Sequence, residues 1–255
     1  MISFRRNSGT SYLVVACNGA IHYASGTTFV SLPSSTNLYT AGVNVNFMTS
    51  KNMLIICNGY QYAYKWDGTY FARLGVSAPV SAICAVTTDS GNLNGTYYYV
   101  VTGVNSNLAE SDYGVVSSAI TAVSNQLTLH DLPVWPASAG VNYNYIYRNT
   151  ALASDIYYYV TAVTNGVTSV TDNVADSDLV TEAPTDNGVM PKCQYMTQYQ
   201  NRVFAAGDPS SPMKLYFSNA SDPETWPSAA PLTRQPHRVY PAAACLGSNH
   251  KFEKR

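Results

Sequence analysis

Short apolar runs followed by glycine-containing turns recur along the first third of the chain. The run "YLVVA" leads to Asn18-Gly19, and the run "MLIIC" leads to Asn58-Gly59, 40 residues further on. In each case an alternating apolar and polar segment comes next, and then a second turn, Ser25-Gly26-Thr27 or Asp67-Gly68-Thr69. Asn-Gly or Asp-Gly between alternating segments is typical of a β-hairpin, because the tight turn needs positive φ. The pattern therefore predicts a repeated antiparallel β-unit.

A related pattern returns late in the chain, in "YMTQYQNRVFAAGDPSSPMKLYFSNASDPETW". Like "NFMTSKNMLIICNGYQYAYKW", it places Met-Thr and a polar pair before an apolar strand, and then a turn and an aromatic strand ending near a tryptophan. A period of about 40 to 45 residues with several strands per repeat is typical of β-propeller blades. Three such units are too few to close a ring, so the sequence predicts an all-β fold with an incomplete β-propeller-like body.

The middle of the chain has a different rhythm. Seven short strands are predicted there, separated by turn residues every 8–15 positions, from "VSAICAVTT" to "VTSVTDN". This count and spacing are typical of an immunoglobulin or fibronectin III-like β-sandwich of about 100 residues. We therefore predict the first part of the propeller-like body in residues 1–78, an inserted sandwich in 79–186, and the second part of the body, with a C-terminal tail, in 187–255.

Six aromatic side chains are candidates for an interface or for stacking on sugars: Tyr60, Tyr62, Tyr64, Trp66, Trp135 and Trp226. The first four alternate along "YQYAYKW", so a strand there would present them on one face. Packing against the next blade and a sugar-stacking platform are the two interpretations of that face.

Charge is scarce and unevenly divided. Charged residues make up 11% of the chain, against about 25% in ordinary soluble domains. Residues 79–186 contain ten acids and one base, a net charge of −9, whereas the remainder has five acids and thirteen bases, a net charge of +8. We expect the two parts to face different surroundings, the alternative being an accident of surface composition.

No catalytic signature accompanies these patterns: the sequence has no HExxH, GxSxG, P-loop or GxGxxG motif. Glu110 and Asp112 are the one carboxylate pair to consider for glycoside hydrolysis, and no other feature supports that reaction. Asp172, Asp176 and Asp178 indicate either a calcium site or, as we expect, a solvated acidic turn. The five cysteines form no CxxC pair, which favours buried free thiols. We predict no catalytic residue, metal or cofactor.

Three stretches resemble a known family. "NGYQYAYKWDGTYFARLGVSAP" with "GTYYYVVTGVNSNLAESDYG", and "YQNRVFAAGDPSSPMKLYFSNASDPETWP", are similar to the tail tubular protein B, or tail nozzle, family of short-tailed bacteriophages. The resemblance covers about residues 10 to 230. It implies an unclosed propeller with inserted sandwich domains, assembled as a ring around a DNA channel, with no catalytic residues. Family members continue with further blades after the equivalent of "ETWP", so this sequence corresponds to a truncated reading frame, a split gene or a small relative.

These observations lead to one expectation and one alternative. We expect a non-enzymatic virion structural protein of the phage tail, in a nozzle or connector ring, assembled in the host cytoplasm. Its partners would be copies of itself, other tail or connector proteins, and DNA that passes without sequence-specific binding. No membrane is expected, since no apolar stretch approaches the roughly 18 residues of a spanning helix. The alternative is a carbohydrate- or receptor-binding fibre module that uses exposed Tyr and Trp.

Overall fold

The structure, a computed structural model, is built almost entirely of β-strands. It describes residues 1–33, 35, 38–40, 42–227 and 232–233. This part of the chain forms eighteen strands in five antiparallel sheets, and its helical segments are two short 3-10 turns, Ala137–Ala139 and Asp176–Asp178. The predicted all-β class is confirmed.

Three of the sheets have four strands in sequential order. Sheet 1 comprises β1 (Ile2–Arg5), β2 (Ser11–Cys17), β3 (Ala20–Ser25) and β4 (Thr28–Ser31). Sheet 2 comprises β5 (Asn46–Ser50), β6 (Met53–Cys57), β7 (Tyr64–Trp66) and β8 (Phe71–Arg73). Sheet 3 comprises β15 (Tyr195–Tyr199), β16 (Arg202–Ala206), β17 (Lys214–Phe217) and β18 (Leu232–Thr233). Each predicted repeat unit thus corresponds to one four-stranded sheet.

The other two sheets lie between sheets 2 and 3 in the sequence. Sheet 4 has the order β10 (Tyr99–Asn105), β12 (Val141–Thr150) and β13 (Ala153–Thr164). Sheet 5 has the order β14 (Val170–Asp172), β11 (Ile120–His130) and β9 (Cys84–Tyr97). One apolar core joins them, and it includes Tyr99, Val101 and Ile146 of sheet 4 together with Leu93, Tyr97, Leu127 and Leu129 of sheet 5.

This segment has six strands where the sequence predicts seven. The predicted strands "YGVVSSAITAV" and "NQLTLHDL" are replaced by the single strand β11, which begins only at Ile120. Ser124, at φ 55°, lies at a register shift between β11 and β9, and this bulge lets the strand continue through a polar stretch that otherwise indicates a turn.

Sheet 2 lies between sheets 1 and 3, because its strand β6 contributes side chains to a core on each side. All five residues of β6 are buried, because successive side chains enter cores on opposite sides of the sheet. The core shared with sheet 1 contains Phe4, Val14, Ile21, Leu32, Tyr39, Leu54, Ile56 and Trp66. The core shared with sheet 3 contains Ile55, Cys57, Ala63, Leu74, Met190, Cys193, Val203, Ala205 and Trp226. The sheets therefore stack face to face in the order 1, 2, 3.

The predicted strand "YQYAYKW" is wrong in its first half. Strand β7 begins at Tyr64, so Tyr60 and Tyr62 precede the strand and do not share a strand face with Trp66. The cause is local, because the side-chain oxygen of Asn58 accepts hydrogen bonds of 3.0 Å from the backbone N–H groups of Tyr60 and Gln61. This Asx turn holds the chain out of the extended conformation.

The C-terminal tail of the predicted third part, residues 234–255, lies outside the described residues.

Candidate interaction surfaces

The structure separates the six candidate aromatic residues. Trp66 and Trp226 are each 2% exposed. Trp66 packs in the core between sheets 1 and 2, and Trp226 packs in the core between sheets 2 and 3. Tyr64 is half-buried, and its ring stacks on Phe71 with centroids 5.2 Å apart. The packing interpretation therefore holds for these three rings, and the burial of the two tryptophans leaves them no face for a sugar.

Trp135 is half-buried and engaged on several sides. Its indole Nε1 donates a 2.7 Å hydrogen bond to Asn144 Oδ1, and its backbone is held by the side chain of Asn165. A Cβ added at Gly103 would lie 2.9 Å from the indole ring and 2.9 Å from Val76. Trp135 thus packs where sheet 4 approaches the segment that follows sheet 2.

Tyr60 and Tyr62 are the exposed members, at 59% and 38%. The Tyr62 ring has the Arg73 guanidinium 4.2 Å from its centroid and the Lys192 ammonium 5.1 Å from it. Tyr60 and Lys192 also line an open cleft of about 490 Å³ that includes Asp208. This is a cationic and aromatic surface between sheets 2 and 3, and it is the part of the six-residue set that a ligand can reach.

Sequence reasoning missed a buried polar junction centred on Glu224, a residue 3% exposed in the loop after β17. Its carboxylate forms an ion pair with Lys65 of β7 and accepts 2.6 Å hydrogen bonds from the side-chain amides of Asn105 and Asn107. One carboxylate therefore ties together sheet 2, sheet 4 with its following loop, and the loop that follows β17 of sheet 3. The available signal was a pair of acids, Asp222 and Glu224, placed close to a tryptophan in a chain with few charged residues.

Close backbone packing seals the same junction. Gly75 has φ 75°, and a Cβ added there would lie 2.4 Å from the carbonyl oxygen of Glu224. The Gly75 backbone N–H also points at the Glu224 carboxylate, at 3.4 Å. Glycine is required here both for the left-handed conformation and for the close approach of the two backbones.

The acidic turn predicted to be solvated is built around a buried arginine. Arg148, the one base of residues 79–186, is 0% exposed and pairs with Asp172 at 2.9 Å and Asp176 at 2.7 Å. Its guanidinium lies 4.4 Å from the centroid of the Tyr97 ring. Asp172 is 1% exposed, so the solvated interpretation is wrong for that residue, although Asp178 is exposed. The positive charge that pairs with the carboxylates of Asp172 and Asp176 is therefore the Arg148 guanidinium and not a calcium ion.

Both carboxylates of the pair considered for glycoside hydrolysis accept hydrogen bonds within the fold. Glu110 Oε1 accepts a 2.6 Å hydrogen bond from Thr102 and another from the Tyr147 hydroxyl. Burial, and next the hydrogen bond to Glu110, raise the pKa of Tyr147. Asp112 accepts a 2.6 Å hydrogen bond from the backbone N–H of Asn187.

The thiols are of two kinds. Cys57 and Cys193 are buried as expected, whereas Cys17 and Cys84 are exposed, contrary to the expectation of buried thiols. Burial raises the pKa of Cys57 and of Cys193 to about 12, with the neighbouring thiol adding to the effect at Cys57. The fifth cysteine, Cys245, lies outside the described residues.

The outer face of sheet 3 is aromatic, and no other sheet of the described residues packs on it. We call it the front face, and its principal side chains are Tyr195, Tyr199, Arg202, Phe204, Leu215 and Phe217. They share a face because Tyr199 pairs with Arg202, and Phe204 pairs with Phe217. Tyr195 and Tyr199 are 62% and 63% exposed.

The outer face of sheet 1 likewise has no other sheet of the described chain against it. We call it the back face, and its principal side chains are Leu13, Val15, His22, Ala24 and Phe29. Val15 pairs with His22, and Ala24 pairs with Phe29, so these side chains point away from the core shared with sheet 2. Leu13 is 41% exposed and Phe29 is 52% exposed, the latter on the edge strand β4, whose four residues are all exposed.

Sheet 4, in contrast, has both edges covered. The backbone N–H groups of Ser111, Gly114 and Ser117 donate to carbonyls of β10. On the other side, the N–H of Ala183 donates to Tyr157 O, and the N–H of Tyr159 donates to Thr181 O. Residues 111–117 and 181–183 thus cap the two edge strands of the sheet, as native proteins do to prevent unwanted pairing.

Comparison with known proteins found no matching family model and no matching curated protein. Among the described residues, no group of three or more His, Cys, Asp or Glu side chains is placed to hold a metal ion. In the same part of the chain, no helix has the length and hydrophobicity needed to cross a bilayer.

Proposed function

We propose that this protein is a non-enzymatic structural component of a bacteriophage virion, in a tail nozzle or connector ring built from copies of the chain. The observation that carries the proposal is the three-sheet stack, which ends in the front face of sheet 3 and the back face of sheet 1, neither of them covered by another sheet of the described residues. Sheet faces with exposed aromatics and little Lys or Glu match the centres of protein interfaces, where charged residues are depleted.

The finer fold belongs to the same proposal. Sheets 1, 2 and 3 are blade-like units of an incomplete propeller, and sheets 4 and 5 are an inserted immunoglobulin or fibronectin III-like sandwich. Support for the first comes from the sequential four-strand order of each sheet and their face-to-face stacking. Support for the second comes from one core shared by two antiparallel sheets.

Charge supports different surroundings for the two parts. The one base of residues 79–186, Arg148, is buried and paired, so the surface of this segment presents acids such as Asp89, Asp131 and Glu182 without exposed Lys or Arg. Such a surface repels DNA, whose phosphates attract basic groups. The proposed role therefore directs the acidic sandwich outward and the basic body towards DNA and neighbouring tail proteins.

The test of this proposal asks whether the protein is present in virions and whether the purified chain forms rings. The protein would be sought by mass spectrometry in purified particles of a phage that encodes it, and the purified recombinant chain would be imaged by negative-stain electron microscopy. We expect the chain at a fixed stoichiometry in tails, and ring-shaped particles of the recombinant protein. Its absence from intact particles would refute the virion role.

The carbohydrate- or receptor-binding module remains the second candidate, favoured by the exposed Tyr60 and Tyr62. A glycan array with the wild type and with Tyr60→Ala tests it. Trp135→Ala is a weaker probe than the sequence indicates, because the indole of Trp135 is engaged with Asn144. Glycan binding that Tyr60→Ala abolishes would favour this candidate over the tail-ring role.

A further inference from the structure

We propose that the front face of sheet 3 packs on the back face of sheet 1 of a second copy, so that two chains close a ring of six sheets. The inference rests on the proposed assembly role and names the partner surface for it. It follows from the way in which the three sheets of a single chain already stack.

The two contacts within the chain repeat one geometry. In sheets 2 and 3, the first and second strands are joined by a tight two-residue turn, Lys51-Asn52 in sheet 2 and Gln200-Asn201 in sheet 3. All four turn residues have positive φ. The strands that follow are therefore in matching register, which makes Leu54 equivalent to Val203 and Ile55 equivalent to Phe204.

This equivalence gives sheets 2 and 3 the same direction. Leu54 faces sheet 1 and Val203 faces sheet 2, so each uses the same side of its sheet to contact the preceding one. Ile55 faces forward into sheet 3 and is 0% exposed. Phe204 faces forward in the same way but is only half-buried, because the described chain places no fourth sheet in front of it.

A second copy provides the missing sheet in the required orientation. The back side of its sheet 1, with Leu13 and Phe29, is the side that no preceding sheet covers. A front-to-back contact is heterologous, and such contacts form closed rings when the rotation between copies closes. Three sheets from each of two chains make six, within the range of about four to eight blades over which propellers close.

The first strands of sheets 2 and 3 converge, as closure around an axis requires. Within the chain, β5 and β15 approach each other, and the Asn46 side chain donates a 2.8 Å hydrogen bond to the carbonyl of Gln194, just before β15. By the same geometry, β1 of the second copy would lie beside β15. This arrangement brings the exposed Arg5 near Tyr195 and Tyr199, where a cation–π contact is favourable.

The test uses one substitution on each face of the full-length chain. Leu13→Asp places a charge on the back face and Tyr199→Asp places one on the front face, both at exposed positions that do not contribute to the internal cores. Val123→Asp, at a 71% exposed strand position of sheet 5, is the matched control. Circular dichroism verifies folding, and light scattering coupled to size exclusion gives the mass.

We expect the wild type and Val123→Asp to have twice the 27.6 kDa mass of the chain. Each face variant should be monomeric at the same concentration, because an unpaired buried charge weakens each contact by roughly tenfold or more. An equimolar mixture of Leu13→Asp and Tyr199→Asp should partly restore the dimer, since one of its two contacts then joins an unmodified front face to an unmodified back face.

A wild-type protein that is still monomeric at roughly 100 μM would overturn the inference, because a contact with a weaker dissociation constant could not hold an assembly together. An oligomer that Leu13→Asp leaves intact, or a mixture of the two variants that forms no dimer, would overturn it as well. An assembly of another size would overturn closure by two copies. A monomeric protein that is still present in virions would refute this contact while leaving the virion role standing. A dimer that is absent from virions would support this contact and refute the virion role.

Discussion

The buried carboxylate of Glu224 offers the sharpest test of how the parts of the chain are held together. Its side chain is 2% exposed and that of Lys65 is 9% exposed, so replacing Glu224 with Ala leaves an ammonium group buried without a counter-charge. Asn105 and Asn107 lose their acceptor in the same step. Breaking one side of a buried pair costs about 3–5 kcal/mol.

We therefore expect Glu224→Ala to lower the free energy of unfolding by about 3–5 kcal/mol. This corresponds to a fall in Tm of roughly 6–20 °C, at about 2–4 °C per kcal/mol for a chain of this size. Urea unfolding followed by tryptophan fluorescence measures the loss, because Trp66 and Trp226 are both buried. Glu182→Ala, at an exposed position, is the control and should change stability by less than about 0.5 kcal/mol.

A double-mutant cycle separates the ion pair from simple loss of packing. Lys65→Met with Glu224→Met removes both charges together, so it should cost clearly less than the sum of the two single substitutions. Additive costs, or a loss below about 1 kcal/mol for Glu224→Ala, would refute the reasoning that this junction holds the sheets together.

Three further predictions follow from other buried groups. Arg148→Met should destabilise the chain by about 3–5 kcal/mol in thermal unfolding, because it strands the buried carboxylate of Asp172; an unchanged Tm would contradict that pairing. Cys57 and Cys193 should resist alkylation at pH 8 in the native protein and react after unfolding, since burial raises the pKa of both to about 12; mass spectrometry of labelled peptides checks this, and rapid native labelling would be incompatible with it. Burial raises the pKa of Asp208, but hydrogen bonds from Ser210 and Tyr216 outweigh that effect and hold it below its ordinary value. The resulting stabilisation is present above the unfolded pKa of about 3.9 and is lost as the pH falls through the folded value, so the stability difference between wild type and Asp208→Asn should shrink below about pH 4.

Sheets 4 and 5 differ from the three-sheet stack in how their edges and faces are covered, and this difference bears on how the protein would assemble. Sheet 4 caps its own edges with residues 111–117 and 181–183, and its core is shared with sheet 5 inside one continuous segment. The three-sheet stack instead ends in two faces on which no other sheet packs within the described part of the chain. Association through the stack, with the acidic segment left free, is therefore the arrangement that the proposed role requires.

The sequence by itself determined the features that depend on local chemistry. Positive φ at Gly19 and Gly68 fixed turns, and apolar runs such as "MLIIC" fixed strands, because a strand with no polar face must be buried on both sides. The all-β class could be predicted in the same way, because it follows from strand and turn signals that are local in the sequence.

Only the tertiary structure decided which side chains meet. The aromatic series from Tyr60 to Trp66 alternates perfectly in sequence, yet the Asx turn at Asn58 separates the exposed Tyr60 and Tyr62 from the half-buried Tyr64 and the buried Trp66. The partners of Glu224 lie 117 to 159 residues away in the chain. No local pattern specifies such contacts, because they arise from the packing of whole sheets, and the same packing leaves Phe204 half-buried while its counterpart Ile55 is fully covered.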